Sequence, residues 1–133
     1  MFASMGTPRD RTFEAMVDNC RPWLHKRVAD GNYLGFLIET AGDDPLVVAG
    51  GGLLLLDWPP THLDPQTTRG YILNVYVEPA HRQRGLARRV TEACLEACRT
   101  RGIRVATLHS ADAARGIYEK LGFAATNEMR LNL

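Results

Sequence analysis

Between Gly85 and Arg101 the apolar residues Leu86, Ala87, Val90, Ala93, Cys94, Ala97 and Cys98 recur at helical spacing, while Arg88, Arg89, Glu92, Glu96 and Arg99 take the opposite face. A helix of this kind has to bury its stripe against something. Strand-like runs stand on both sides, Tyr71–Val77 before it and Ile103–Leu108 after it, with Glu78-Pro79 and Gly102 as stops. Strand, helix, strand is a βαβ unit, whose crossover is right-handed and whose two strands run parallel. The centre of the fold is thereby fixed as a parallel pair covered by one amphipathic helix.

The remaining segments arrange themselves around that unit. Phe13, Met16, Val17 and Cys20, continued by Trp23, Leu24 and Val28, predict helix over Asp10–Asp30. Pro22 lies within it, which predicts either a kink or two short helices with Pro22 in a first turn, and Gly31 is a stop. Tyr33–Thr40 and Leu46–Leu56 flank the turn residues Ala41-Gly42-Asp43-Asp44-Pro45 and predict a hairpin. Asp57–Gly70 carries Pro59, Pro60 and Pro65 without periodicity and reads as a long loop. Asp112–Leu121 reads as a short helix and Phe123–Leu133 as closing β structure. An antiparallel hairpin beside a parallel pair gives an α/β (α+β) fold, a mixed central β-sheet flanked by helices.

At 133 residues the chain has room for one core, so residues 1–133 form a single domain and any ligands must share it. With 16 Lys and Arg against 15 Asp and Glu, no molecular field attracts nucleic acid or anionic lipid. The apolar run Leu46–Leu56 is too short to cross a membrane, and the N-terminal residues lack the pattern of a signal peptide, so the expected location is cytoplasmic. Cys94 and Cys98 lie on the apolar helix face and read as core. No spacing among the cysteines and His25, His62, His81 and His109 makes a metal set, so no metal is expected.

The chemistry is concentrated in Arg82-Gln83-Arg84-Gly85-Leu86-Ala87, where a strand turns into a helix. A glycine and a small residue there allow close approach of a phosphate to the free N–H groups of the first helical turn. Arg82, Arg84 and Arg88 can add charge-assisted hydrogen bonds to a diphosphate. Gly50-Gly51-Gly52 also suggests a phosphate loop, but no Gly-Lys-Ser/Thr follows it, and a bulge or close backbone approach fits better. A Rossmann fingerprint needs a third glycine and an acidic residue about twenty positions on, which the arginine turn does not supply.

Arg82, Gly85 and Ala87 match the pyrophosphate loop of the GNAT superfamily of N-acetyltransferases: Gln or Arg, two residues, Gly, one residue, then Gly or Ala. Val75-Tyr76-Val77-Glu78-Pro79 resembles that family's fourth strand and its stop, and Tyr118-Glu119-Lys120-Leu121-Gly122-Phe123 its second cofactor motif. The resemblance implies a fold that binds acetyl-CoA. The N–H groups of Arg84–Arg88, with Arg82, Gln83, Gly85, Leu86 and Ala87 in the same turn, would hold the diphosphate. The backbone of Val75, Tyr76 and Val77 would splay from the parallel neighbour, bind the pantetheine arm and polarise the thioester carbonyl. Tyr118 would be the general acid that protonates the departing thiolate. An asparagine common in relatives seven residues before this tyrosine is Ala111 here, and Ser110 or Asp112 is expected to cap the helix instead. Phe2-Ala3-Ser4-Met5-Gly6 resembles the end of the family's first helix. The resemblance therefore implies a sheet lacking the family's first strand and most of its first helix, with an edge open to pairing as a homodimer.

For the acceptor, Glu39, Asp57, His62, Tyr76 and Glu78 can take a proton from an ammonium, Glu78 being the one at the strand end near the thioester. Trp58, Pro59 and Pro60 suggest an apolar wall, and Asp57 and Asp64 could attract a cationic amine of a small molecule or a peptide. The expected activity is N-acetylation of a primary amine. Two other readings are open: a CoA-binding regulatory module without turnover, and a nucleic-acid binder using the arginines. The second is disfavoured by the balancing acidic groups and the lack of interleaved aromatic residues.

Overall fold

The computed structural model describes residues 10–133; the expectation placed on Phe2–Gly6 lies outside them. Helix α1, Arg11–Ala29, opens where the Asp10 carboxylate accepts the Phe13 N–H at 2.9 Å, and Lys26 and Arg27 stand in its last turn. Of the two expected arrangements, the single helix is the one formed: α1 continues through Pro22 and does not restart there. Pro22 and Asp18 are both exposed, so the Asp18 carbonyl that loses its donor faces water, which lowers the cost of the proline. No residue of α1 is fully buried. It rests on the sheet through Trp23, whose ring meets Tyr33 edge-on at 6.3 Å.

Among the described residues four strands, β1 (Tyr33–Glu39), β2 (Val47–Asp57), β3 (Thr68–Val77) and β4 (Ala106–Leu108), form one sheet in sequence order. The expected hairpin is β1 and β2, antiparallel, and the expected parallel pair is β3 and β4. β2 and β3 extend further than their sequence suggested: Asp57 pairs with Thr68, and the loop shrinks to 58–67, closed by Trp58 N–H to Thr67 C=O at 2.8 Å. Pro59, Pro60 and Pro65 all fall inside that loop, where their missing donors cost the ladder nothing.

Helix α2, Leu86–Thr100, crosses between β3 and β4 and buries Val90, Thr91, Cys94 and Cys98. Leu53, Ile72, Cys94, Cys98 and Ile103 form the core, with Phe36, Val75, Leu108 and Phe123 packed around it. Burial pushes the Cys94 thiol up to about 12, so it stays protonated, as a core residue should. β4 begins later than expected because Ile103 ends the helix: its N–H reaches back to the Cys98 carbonyl at 2.9 Å and its side chain is buried, with Gly102 left-handed between them.

After β4, a 3₁₀ turn (Asp112–Ala114) leads into α3, Arg115–Lys120. Neither Ser110 nor Asp112 caps it. Ser110 donates instead to the Ala111 carbonyl at 2.9 Å, and the N-cap residue of α3 is Ala114, two residues beyond Asp112. The expected β structure over Phe123–Leu133 is absent. Phe123 packs on the core, but residues 124–133 are exposed and make no backbone hydrogen bond to the sheet among the described residues. Alternating Met129, Leu131 and Leu133 supply a strand's face without a ladder partner. No helix among the described residues is long and apolar enough to cross a membrane.

Candidate active site

The site is built where the sheet comes apart. The parallel ladder joins Gly70–Ile72 to Ala106–Leu108 and then stops, so from Leu73 onward β3 is paired with β2 alone. On the β2 side Gly50 pairs with Tyr76 and Gly52 with Leu73, so Gly51 faces two residues, Asn74 and Val75. This is a β-bulge, and Asn74 takes the left-handed conformation it needs, φ 58°. The glycines make room for it: a Cβ on Gly51 would sit 2.6 Å from Val90 Cγ1 and 3.2 Å from Val75 Cγ2. The triple glycine is therefore the close backbone approach expected of it. Past the bulge, the β4-side backbone groups of Val75 and Val77 border an open fork, while those of Tyr76, like the Glu78 N–H, face β2.

The chain then makes a 3₁₀ turn at Pro79–His81 and enters the arginine turn. Gln83 and Gly85 are both left-handed, at φ 63° and 76°, which bends the backbone into a concave run ahead of α2. No side chain caps α2, and the N–H groups of Arg84–Arg88 have no acceptor among the described residues. A Cβ on Gly85 would meet nothing within 4 Å, so the space above this backbone is open. Arg82 donates through Nε to the Val77 carbonyl at 3.1 Å and lies over the Tyr76 ring. Arg88 pairs with Glu92 at 3.0 Å, and Arg84 lies 3.5 Å from His81 Nδ1. All three guanidinium groups are exposed and weakly held, which leaves them free to turn toward an anion.

Tyr118, on α3, is buried with its ring edge-on to Phe123 at 5.9 Å, and its phenol has no hydrogen-bond partner among the described residues. Burial, followed by the Cys94 thiol, pushes its pKa above the ordinary tyrosine value, so it carries its proton throughout the neutral range. Glu78 is exposed just beyond β3, where its N–H donates to the Val48 carbonyl at 2.8 Å. It stands at a cavity of about 370 Å³ on the α1 side of the sheet, lined by Leu24, Tyr33, Val48, Asn74 and Tyr76 among others. Glu39 and His62 do not line it, and Asp57 belongs to a second hollow beside Trp23 and Arg27. Asp64 is no amine attractor: it is buried, and its carboxylate accepts the Gln66 N–H at 3.2 Å to shape the 58–67 loop. Trp58 stacks under Arg69 at 4.7 Å, outside the cavity.

The sequence model of the acetyltransferase (GNAT) family matches residues 6–123. The chain belongs to the GNAT family. The whole chain superimposes on 85% of a GCN5-related N-acetyltransferase from Ralstonia eutropha, at 38% identity and a TM-score of 0.88. A predicted acetyltransferase from Clostridium acetobutylicum, solved with acetyl-CoA, shares the fold: 95% of this chain covers 78% of it at 24% identity, TM-score 0.82. So does glucosamine-6-phosphate N-acetyltransferase from Arabidopsis thaliana, with 85% of this chain over 74% of that one, 20% identity and a TM-score of 0.67. No curated protein is similar enough in sequence to count as a match.

Within this GNAT domain two features escaped the sequence reading. Asn74 was legible in principle, since an asparagine opposite three glycines in an apolar strand is a residue suited to a left-handed bulge. The pair Tyr71 and His109 left no such signal. Tyr71 Oη lies 2.5 Å from His109 Nδ1, with the rings crossed at 76°, and this contact joins residues 38 apart in sequence. Burial and Glu128 raise the Tyr71 pKa above its ordinary value, while Arg130 lowers it.

Proposed function

We propose that this GNAT domain transfers the acetyl group of acetyl-CoA to a primary amine, and the observation that carries the reading is the fork in the sheet leading to an uncapped, open helix N-terminus. The residues present fit the cosubstrate. Five consecutive N–H groups without acceptors among the described residues, Arg84–Arg88, border open space above Gly85, and the β3 edge left by β4 runs directly into them. Acetyl-CoA supplies an acetyl group already activated as a thioester.

In this reading Arg82, Gln83, Arg84, Gly85, Leu86, Ala87 and Arg88 hold the diphosphate through backbone N–H groups and guanidinium charge. The backbone of Val75 and Val77 orients the arm, and an N–H of that edge stabilises charge developing on the thioester oxygen, an effect worth about 3–4 kcal/mol of barrier. Tyr118, kept protonated by burial, gives its proton to the departing sulfur. Glu78, beside the cavity, pairs with the incoming ammonium. Leu24, Leu37, Val47 and Val48 make much of that cavity apolar, and no Lys or Arg among the described residues lines it. Such a lining suits a small amine with an apolar body better than a phosphorylated one.

Calorimetric titration of acetyl-CoA into the protein and into Gly85→Glu tests the cosubstrate site. Saturable binding lost in the variant, whose side chain fills the open space, is the expected result. Equal binding by a folded Gly85→Glu protein would place the diphosphate elsewhere and overturn the assignment.

A further inference from the structure

We propose that His109, oriented by Tyr71, accepts the proton released by the acceptor amine; this rests on the acetyl-transfer reading above. The parallel register pairs Gly70 with Ala106, Tyr71 with Thr107 and Ile72 with Leu108. Continued by one residue, it brings His109 level with Leu73, at the vertex of the fork and next to the bulge at Asn74. Asn74 itself lines the cavity that Glu78 borders. Tyr71 and Thr107 alternate with Ile72 and Leu108, which pack on α2, so they and His109 belong to the face that carries the cavity. His109 does not itself line that cavity; the register puts it at the β4 side of the fork in which the proposal places the thioester.

The Tyr71 contact determines which ring nitrogen is available. Tyr71 Oη and His109 Nδ1 are 2.5 Å apart. If Nδ1 carries its proton and donates it to the phenol oxygen, Nε2 presents its lone pair away from Tyr71. The N–H bond of the acceptor ammonium then breaks, its electron pair stays on nitrogen, and the proton is bound by the Nε2 lone pair. The resulting imidazolium keeps its Nδ1–H on Tyr71 Oη and returns the Nε2 proton to water. The charged groups acting on Tyr71 are Glu128 and Arg130, whose effects oppose one another. His109 is exposed, so the returned proton has an exit.

Two measurements decide it. In the first, kcat/KM with acetyl-CoA and a small primary amine is followed against pH for the wild type, His109→Gln and Tyr71→Phe, with acetyl-CoA affinity measured alongside. His109→Gln should lose about 100-fold in rate and the acid limb of the profile, with unchanged acetyl-CoA affinity. Tyr71→Phe should lose rate with acetyl-CoA affinity unchanged, and its His109 should no longer be held in a single neutral tautomer. A His109→Gln enzyme that keeps rate and limb overturns the proposal. In the second, ¹⁵N NMR of the imidazole in the wild-type protein reads the neutral tautomer without needing turnover. Nδ1–H is expected, and Nε2–H would overturn the proposal. If the wild type acetylates no amine while acetyl-CoA binds, the acetyl-transfer reading fails, and the tautomer still decides whether His109 is built to accept a proton.

Discussion

Gly85 and Gly102 stand at the two ends of α2 and offer a matched pair of perturbations. Both are left-handed, at φ 76° and 70°, and a Cβ on either would meet nothing within 4 Å. Alanine at either position therefore pays only the backbone cost of a left-handed residue, about 1–2 kcal/mol. For a chain of this size that is a fall in Tm of roughly 3–8 °C. The two variants should be destabilised alike in thermal or urea unfolding. They should differ in acetyl-CoA binding, because the methyl at Gly85 enters the space assigned to the diphosphate, while the methyl at Gly102 points from the far end of the helix. A tenfold or larger loss of affinity confined to Gly85→Ala is expected by calorimetry, at temperatures where both proteins are folded. Equal affinities in the two variants would refute the reasoning, since the open space above Gly85 would then have no ligand to exclude.

Gly51→Ala should cost about 1–3 kcal/mol in urea unfolding, because its Cβ arrives 2.6 Å from Val90 Cγ1 under a helix that cannot easily retreat; an unchanged midpoint would contradict the packing described. Tyr118→Phe should lower kcat by about 100-fold while leaving acetyl-CoA affinity intact, and in the wild type the limb from loss of this acid should lie above the ordinary tyrosine range. Cys94 gives a stability test. Its folded pKa of about 12 lies above the reference value of 9.0, so the unfolded chain releases the proton first. The contribution is fully present below pH 9, and stability falls as pH rises from there toward 12, with a slope of at most about 1.4 kcal/mol per pH unit from this group. Cys94→Ala should flatten that slope in unfolding curves measured across pH, and an unchanged slope would remove Cys94 as its source.

The sequence was most legible where local chemistry and tertiary demand agree. The amphipathic pattern of α2, the turn residues between β1 and β2 and the glycine of the arginine turn each have one good structural outcome. It was least legible where a partner decides. Residues beyond Phe123 alternate like a strand, yet a strand exists only with a ladder partner, and the chain provides none to them among the described residues. Pro22 reads as either a kink or a boundary between two helices, and the choice falls to one helix because water can satisfy the exposed carbonyl it orphans. The extent of β2 and β3 depended on the two strands pairing up to Asp57 and Thr68, which neither sequence signals alone. For the proposed site, the arginine turn and Tyr118 could be singled out from motif and order. The role proposed for His109 could not, because it comes from a contact with Tyr71 across the vertex of the fork.

Turnover itself is the most direct test of the account. The purified protein is incubated with acetyl-CoA and a panel of small primary amines, and free thiol and amine mass are followed together. The account predicts thiol release matched one for one by amines heavier by one acetyl group, abolished with Gly85→Glu and strongly slowed with Tyr118→Phe. Thiol release without an acetylated amine, or no reaction by a protein that binds acetyl-CoA, would contradict it.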